Sequence, residues 1–239
     1  MPVTVILLRH GHSVSNGEHT LAGRSPGVDL DDKGREQAAA LVARIGALPL
    51  KAMVRSPLLR CELTLAPLAA ALGMEPIVDE RLTEVDYGEW TGRKLGDLVK
   101  EPLWTVVQAQ PSAAVFPGGE GLAQVQARAV TAVREHDRRL HDEHGGDALW
   151  LACAHGDVIK AVVADALGLH LDGFQRISVD PASMSVIRYT PIRPFVVHVN
   201  HTGAELTSRL VSKPSDDVVP PDGPPEIPPE DAVVGGSTE

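Results

Sequence analysis

Short runs of large apolar residues alternate along the chain with longer segments in which apolar residues recur every three or four positions. The runs at residues 5–8 and 148–154 are apolar enough for strands that are covered on both faces. The longer segments have the period of amphipathic helices, and the longest of them spans residues 122–144. Strands that alternate with helices in this way predict an α/β layered fold with a largely parallel sheet.

Turn and capping residues set the other predicted boundaries. Asp31 predicts the N-cap of a helix that stops at Gly46, and Ser56 with Pro57 predicts the cap and first position of the next helix. Pro102 is expected to break a helical segment at residues 91–110. Further strands are predicted at residues 52–54, 75–78, 183–189 and 195–199, and further helices at residues 57–72 and 157–167.

Both of the strongest strand patterns end in the same dipeptide. Residues 5–8 lead into Arg9-His10-Gly11, and residues 148–154 lead into His155-Gly156. Ligands of open α/β sheets bind at the carboxyl ends of the strands. Two parallel strands that each end in His-Gly are therefore expected to bring both imidazoles to one edge of the sheet.

Length and composition indicate one globular domain with an appendage. The chain has 239 residues, 43% of them hydrophobic, and its longest apolar runs are too short to cross a bilayer. The N-terminus enters the first strand without a secretory pattern, so we expect a cytoplasmic protein with no membrane partner. Its two cysteines, Cys61 and Cys153, cannot form a disulfide framework or a four-thiolate zinc site.

The negative charge is concentrated in the last 26 residues. The net charge is -10, and the segment after Lys213 contains seven acidic residues and seven prolines but no Lys or Arg, which leaves -3 for the rest. Such a segment cannot bury enough apolar surface to offset the entropy of ordering it. We therefore expect a folded domain at residues 1–212, a disordered tail at residues 213–239, and no nucleic-acid partner.

The residues at the predicted sheet edge suit phosphate chemistry. Arg9 beside His10 can bind a dianionic phosphate, and a neutral His can attack phosphorus. Gly11 is expected to let the backbone approach the ligand closely. Arg60 lies near the predicted start of a helix, where a bound anion would be favourable, and Glu84 could act as a general acid if burial raised its pKa. Each residue taken alone is a weak signal.

Four ordered motifs over residues 4–190 resemble those of the histidine phosphatase superfamily, in the branch named for cofactor-dependent phosphoglycerate mutase. The chain is similar to this family in the segments Leu8-Arg9-His10-Gly11-His12-Ser13 with Asn16, Ser56-Pro57-Leu58-Leu59-Arg60 with Thr64, Arg81-Leu82-Thr83-Glu84 followed by Tyr87-Gly88-Glu89-Trp90-Thr91-Gly92, and Ala154-His155-Gly156-Asp157. The resemblance implies a three-layer α/β sandwich whose mixed, mainly parallel sheet lies between helices. It also implies an enzyme.

The resemblance further implies a role for each matched residue. His10 would be the nucleophile that becomes phosphohistidine, and Arg9, Arg60 and His155 would bind the phosphate. Glu84 would protonate the leaving oxygen and then activate water. The secondary phosphate contacts would be Asn16, Gly23 and Gly156. No metal or cofactor is expected, the substrate would be a small phosphorylated metabolite, and the product would be inorganic phosphate.

Two departures from the family's mutases favour a phosphatase. Only 71 positions separate Glu84 from His155, and residues 104–121 contain no Lys or Arg for a substrate carboxylate. The nearest candidates for substrate selection are Arg24, Arg93 and Lys94. Where mutases tend to have Asn, this chain has Asp157, which we expect to cap the following helix.

Alternative functions remain open at this point. A phosphoglycerate mutase is the alternative within the family. A zinc hydrolase could use His10, His12, His155 and Asp157 as ligands, and an inactive phosphate-binding protein is the non-enzymatic alternative. A cysteine phosphatase needs an Arg six positions after its Cys. This class is excluded, because Pro67 and Ile159 stand six positions after Cys61 and Cys153. A homodimer would be ordinary for such a chain.

Overall fold

A computed structural model describes residues 2–203, which form six strands and seven α-helices. The strands are β1 (Val3–Arg9), β2 (Leu50–Arg55), β3 (Ile77–Val78), β4 (Leu149–Ala154), β5 (Met184–Tyr189) and β6 (Pro194–His201). The helices are α1 (Val14–Gly17), α2 (Asp32–Ile45), α3 (Leu59–Leu72), α4 (Leu95–Leu98), α5 (Pro102–Ala109), α6 (Leu122–His144) and α7 (Gly156–Leu167). The expected tail at 213–239 and its boundary at residue 212 lie outside the described residues.

The six strands form one mixed sheet in the order β3-β2-β4-β1-β5-β6. The four strands from β3 to β1 are parallel, and β5 and β6 run antiparallel to their neighbours. The predicted mixed, mainly parallel sheet is therefore confirmed. The two strands with His-Gly ends, β1 and β4, are direct neighbours, and Arg9 pairs with Ala154 at the carboxyl end of both.

The sheet separates two hydrophobic cores, as the apolar strand patterns predict. On β1, Val5 and Leu7 belong to the core that α6 and α7 cover, whereas Ile6 and Leu8 belong to the core that α2 and α3 cover. All four side chains are at most 4% exposed. A strand whose two faces are both buried has no polar face to present, which explains its unbroken apolar run. The three-layer α/β arrangement is confirmed.

Several predicted boundaries coincide with those observed. Asp31 caps α2 by accepting a hydrogen bond from the Gly34 amide, Gly46 follows its last residue, and α6 spans the predicted residues. Within residues 2–203, none of the helices combines the length and apolar content needed to span a membrane.

Two elements are shorter than predicted. The strand predicted at residues 75–78 contains only Ile77 and Val78, which lie half-exposed at the edge of the sheet and pair with β2 alone. The helix predicted at residues 91–110 is divided into α4 and α5. Pro102 is the first residue of α5, where its missing N–H costs nothing, so the proline starts a helix here.

The beginning of α3 was predicted wrongly. The helix starts at Leu59 with Leu58 at the N-cap, and no side chain caps it. Ser56 is three residues before the helix, and its hydroxyl lies 2.7 Å from Nε2 of His155. The serine therefore connects this loop to the end of β4.

Candidate active site

The two His-Gly strand ends meet at the carboxyl edge of the sheet, as predicted. The ring centroids of His10 and His155 are 5.2 Å apart, and both side chains are buried. The amide of His10 donates to the carbonyl of Ala154, which continues the β1–β4 pairing up to the two rings. Adjacent parallel strands thus position both imidazoles from the backbone.

The hydrogen bonds of His10 select its tautomer. Its Nδ1 lies 2.8 Å from the carbonyl oxygen of Gly11, and a carbonyl only accepts, so Nδ1 carries the proton. Nε2 then retains its lone pair. Burial lowers the pKa of His10 well below its usual value, and the charges of Arg60 and Arg9 lower it further. At neutral pH this ring is an uncharged imidazole with a nucleophilic Nε2.

His155 is held through its other ring nitrogen, Nε2. Its Nε2 lies 2.7 Å from Oγ of Ser56, and that oxygen accepts a hydrogen bond from the Leu58 amide at 3.3 Å. We therefore assign the serine proton to the contact with Nε2 and the ring proton to Nδ1. This nitrogen is buried without a hydrogen-bond partner among residues 2–203 and lies 3.9 Å from Oε2 of Glu84. Burial, followed by the charge of Arg60, lowers the pKa of His155 well below its usual value.

Two buried arginines face the same cleft. Arg9 is 1% exposed and donates from Nη1 to the carbonyl of Val179 at 2.7 Å. Arg60 is 2% exposed and donates from Nη2 to the carbonyl of Gly23 at 2.9 Å. Burial lowers the pKa of Arg9 to about 10, so it stays charged at neutral pH. Two guanidinium groups in a water-poor site form a strong receptor for a phosphate dianion.

Glu84 is the acidic group of the cleft. Its Oε1 accepts a hydrogen bond from the Val85 amide at 2.9 Å, and the side chain is buried. Burial raises its pKa to about 7, and the nearby carboxylate of Asp157 contributes, against the opposing charges of Arg60 and Arg9. A carboxyl group with this pKa can both donate and accept a proton near neutral pH.

Asp157 does not cap α7, contrary to the prediction. His155 occupies the N-cap, and no side-chain cap is present. The buried Asp157 accepts a hydrogen bond from the Tyr87 hydroxyl at 2.8 Å, and Nζ of Lys160 lies 3.6 Å from its other oxygen. The sequence did not indicate this group, because Tyr87 and Asp157 come from different motifs that only the fold brings together.

Gly11 also takes part in a close contact within the protein. A Cβ on Gly11 would lie 2.9 Å from the carbonyl oxygen of Gly34, and a Cβ on Gly34 would lie 1.9 Å from the carbonyl oxygen of His12. The missing side chains therefore allow the loop after β1 to contact α2 closely. The Gly11 amide donates to Oγ1 of Thr64, which connects the same loop to α3.

The predicted secondary phosphate contacts are only partly brought together. Asn16 and Gly23 both line the cleft. Oδ1 of Asn16 accepts hydrogen bonds from the amide and hydroxyl of Ser13. Gly156 is buried at the start of α7 and lies outside the cleft lining.

The loop that carries Glu84 is held by a residue that sequence reasoning missed. Arg128 on α6 donates to the backbone carbonyls of Arg81, Thr83 and Glu84 at 2.7–3.1 Å. It also pairs with Glu120. Nothing in the sequence distinguishes Arg128 from the other charged residues of α6, because its partners are main-chain atoms of a distant loop.

The ligand set of the zinc alternative does not converge. Nδ1 of His12 lies 2.6 Å from a carboxylate oxygen of Asp31. Asp157 contacts Tyr87 and Lys160. Over residues 2–203 there is no group of three or more His, Cys, Asp or Glu side chains arranged to hold a metal ion.

Comparison with known proteins identifies a single family. The model of the histidine phosphatase superfamily (branch 1) matches residues 5–202. Phosphoserine phosphatase 1 of Hydrogenobacter thermophilus is 31% identical over 206 residues, which cover 84% of this chain and 93% of that protein. A probable phosphoglycerate mutase of an Enterobacter species is 29% identical over 188 residues, which cover 77% and 84%.

Longer relatives and solved structures agree with this assignment. The chain spans 55% of the length of mycobacterial relatives that are 32% identical to it over 208 residues, which are 84% of this chain. The structure of a mycobacterial glucosyl-3-phosphoglycerate phosphatase in complex with VO3 is 25% identical, with a TM-score of 0.75, and the alignment covers 83% of this chain and 99% of that one.

Proposed function

The chain belongs to the histidine phosphatase superfamily, branch 1, and on this basis we propose that it hydrolyses phosphomonoesters of small metabolites through a phosphohistidine intermediate. One observation carries the proposal: a neutral His10, with its proton on Nδ1, shares a buried cleft with Arg9 and Arg60. Attack on a phosphate dianion requires an uncharged nucleophile and fixed cations, and this cleft contains both.

The first step transfers the phosphoryl group to His10. The Nε2 lone pair attacks phosphorus, and the bond from phosphorus to the ester oxygen breaks as the N–P bond forms. Arg9, Arg60 and the Nδ1–H of His155 stabilise the charge on the equatorial oxygens. Glu84, which is about half protonated near pH 7, gives its proton to the leaving alkoxide.

The second step releases phosphate. Glu84, now a carboxylate, takes a proton from water as the water oxygen attacks phosphorus. The N–P bond breaks, its electron pair returns to Nε2 of His10, and inorganic phosphate leaves the cleft. The proton taken from water restores the acid form of Glu84, so one carboxyl group serves both half-reactions.

Hydrolysis is favoured over mutase activity, because the segment in which a mutase would bind a second acidic group lacks cationic residues. Residues 104–121 contain no Lys or Arg. A mutase must hold a carboxylate and a second phosphate while the phosphoryl group is exchanged, and both anions need cationic partners. The relative named as a probable phosphoglycerate mutase makes mutase activity the alternative to test.

The decisive experiment is alkaline quench of the protein during turnover of a phosphomonoester, followed by phosphorus NMR at alkaline pH. We expect an acid-labile phosphohistidine and growth of inorganic phosphate, both unaffected by a metal chelator. Loss of activity with chelator would favour the zinc alternative. Growth of 2-phosphoglycerate from 3-phosphoglycerate only in the presence of 2,3-bisphosphoglycerate would show a mutase instead.

Assembly and location are separate proposals. We expect a homodimer, a cytoplasmic location, and no nucleic-acid or membrane partner. Light scattering measures the mass in solution, and cell fractionation measures the location. A monomer would contradict the first expectation without affecting the chemistry, because the described cleft is complete within one chain.

A further inference from the structure

The residues that line the cleft fall into two chemical groups. The charged residues Arg9, Arg60 and Glu84 line it together with His10. The other lining residues are uncharged, and we call five of them the neutral wall: Ser15, Thr20, Leu21, Ala22 and Leu95. Because the phosphoryl group needs the charged residues, the alcohol part of the substrate is left to contact the uncharged ones.

The cations nearest to this wall in sequence are already occupied. Arg24 donates from Nη2 to Oε2 of Glu120 at 2.7 Å, and its Nε donates to the carbonyl of Glu84. Arg93 pairs with a carboxylate oxygen of Glu101 at 2.5 Å. Lys94 donates to the carbonyl of Glu18 at 2.9 Å. The three residues that the sequence indicated for substrate selection therefore have protein partners.

From this arrangement we infer that the natural substrates are phosphomonoesters of neutral alcohols, such as polyols, sugars or nucleosides, and that esters with a carboxylate on the alcohol are poor substrates. The inference rests on the proposed function and specifies its substrate class. If the inference is correct, the neutral wall, and Leu95 in particular, determines which alcohol part of the substrate is accepted.

The physical reason is the cost of desolvating a charge. A carboxylate that enters the cleft loses water and needs a cation or several N–H donors in return. The neutral wall supplies the hydroxyls of Ser15 and Thr20 and the apolar surfaces of Leu21, Ala22 and Leu95. These groups can hydrogen-bond to an alcohol and contact its carbon atoms, but they do not neutralise an anion. Discrimination therefore arises mainly from rejection of the charged competitor.

The test uses two substrates with the same carbon skeleton. Glycerol 3-phosphate carries a hydroxymethyl group where 3-phosphoglycerate carries a carboxylate, and p-nitrophenyl phosphate serves as the reference for phosphatase activity. We expect the wild-type protein to favour glycerol 3-phosphate by about tenfold or more in kcat/KM. Phosphate release is measured for each substrate at fixed ionic strength.

A matched pair of variants tests the role of the neutral wall. Leu95→Lys adds a cation to the wall, whereas Leu95→Met adds length without charge. Leu95 is half-buried at the start of α4, so both side chains can be accommodated at the cleft surface. We expect Leu95→Lys to shift the substrate ratio toward 3-phosphoglycerate by about fivefold, which corresponds to the strength of a partly exposed ion pair. The shift should be smaller at high salt, because salt screens such a pair. Leu95→Met is expected to leave the ratio within about twofold of wild type.

The outcomes separate this inference from the proposed function. Equal or faster hydrolysis of 3-phosphoglycerate, together with turnover of p-nitrophenyl phosphate, would overturn the substrate class and leave the phosphatase assignment standing. No hydrolysis of any of the three esters by folded protein would overturn both. If Leu95→Lys did not fold, the wild-type ratio would still decide the question, because it needs no variant.

Discussion

The two histidines at the ends of β1 and β4 follow the same sequence pattern and occupy the same edge of the sheet, yet the protein holds them through opposite ring nitrogens. His10 donates from Nδ1 to its neighbour's carbonyl, which leaves a lone pair on Nε2. His155 accepts at Nε2 from Ser56, which leaves an N–H at Nδ1. One ring is thus prepared to attack, and the other is prepared to donate.

This difference shows that the ring nitrogen held by the protein, and not the position in the fold, decides what each histidine can do. Both rings are buried, and both have their pKa lowered by burial and by the same arginines. Their electrostatic surroundings are therefore similar. The roles are separated by one carbonyl and one hydroxyl.

The largest effect is expected from His10→Ala. Removal of the nucleophile should lower kcat by at least about 10⁴-fold and abolish phosphohistidine, because no other side chain presents a lone pair at that point. Inorganic phosphate should still bind, as calorimetry can measure, since both arginines remain. The matched control is His198→Ala, which removes an exposed histidine on β6 and should change neither quantity. Near-normal turnover by His10→Ala would refute the assignment of the nucleophile.

His155→Ala is expected to have the next largest effect. Loss of one N–H donor to the transferring phosphoryl group should reduce kcat by about 10²–10³-fold. Phosphohistidine should still form, only more slowly, which rapid quench can detect. His155→Asn keeps a side-chain N–H and should recover part of the rate. If the phosphoenzyme were lost in His155→Ala and kept in His10→Ala, the two roles would be reversed.

A smaller effect, visible mainly in the pH profile, is expected from Asp157→Asn. The protonated form of Glu84 is needed in the first step, so kcat/KM falls as pH rises through its pKa of about 7. Removing the neighbouring negative charge lowers that pKa, so the alkaline limb should move to lower pH by about one unit. Asp165→Asn, an exposed change on the same helix, is the control. An unchanged limb, or one moved to higher pH, would argue against this coupling.

The smallest effect is expected from Ser56→Ala, which removes the partner of Nε2 on His155. The proton of the ring is then no longer fixed on Nδ1. We expect a fall of about fivefold in the rate of phosphoenzyme formation, which corresponds to about 1 kcal/mol, the net value of one hydrogen bond. Ser56→Thr retains the hydroxyl and should restore the rate. A lower melting temperature with an unchanged rate would show that the serine is only structural.

Much of the fold could be predicted, because local periodicity reflects burial directly. The continuous apolar run of β1, the 23 residues of α6 and the Asp31 cap each follow from short-range physics. The errors occur where a distant partner overrides a local preference. Ser56 is a good capping residue by type, but it contacts His155 and leaves α3 uncapped.

The site divides in a similar way. Convergence of the two His-Gly ends was predictable, because neighbouring parallel strands end at one edge. The contact between Asp157 and Tyr87 was not, since 70 residues separate them and neither pattern refers to the other. Arg128 is a further case, because its partners are main-chain carbonyls and any sequence provides those.

The amino-acid sequence by itself determined the alternation of strands and helices, the His-Gly strand ends and the set of charged residues available for chemistry, because these depend on residue type and spacing along the chain. The tertiary structure alone decided which ring nitrogen of each histidine has a protein partner, how far burial raises the pKa of Glu84, and which cations are already paired. Those properties depend on distances of 3–4 Å between groups that are far apart in sequence, so they exist only in the folded chain.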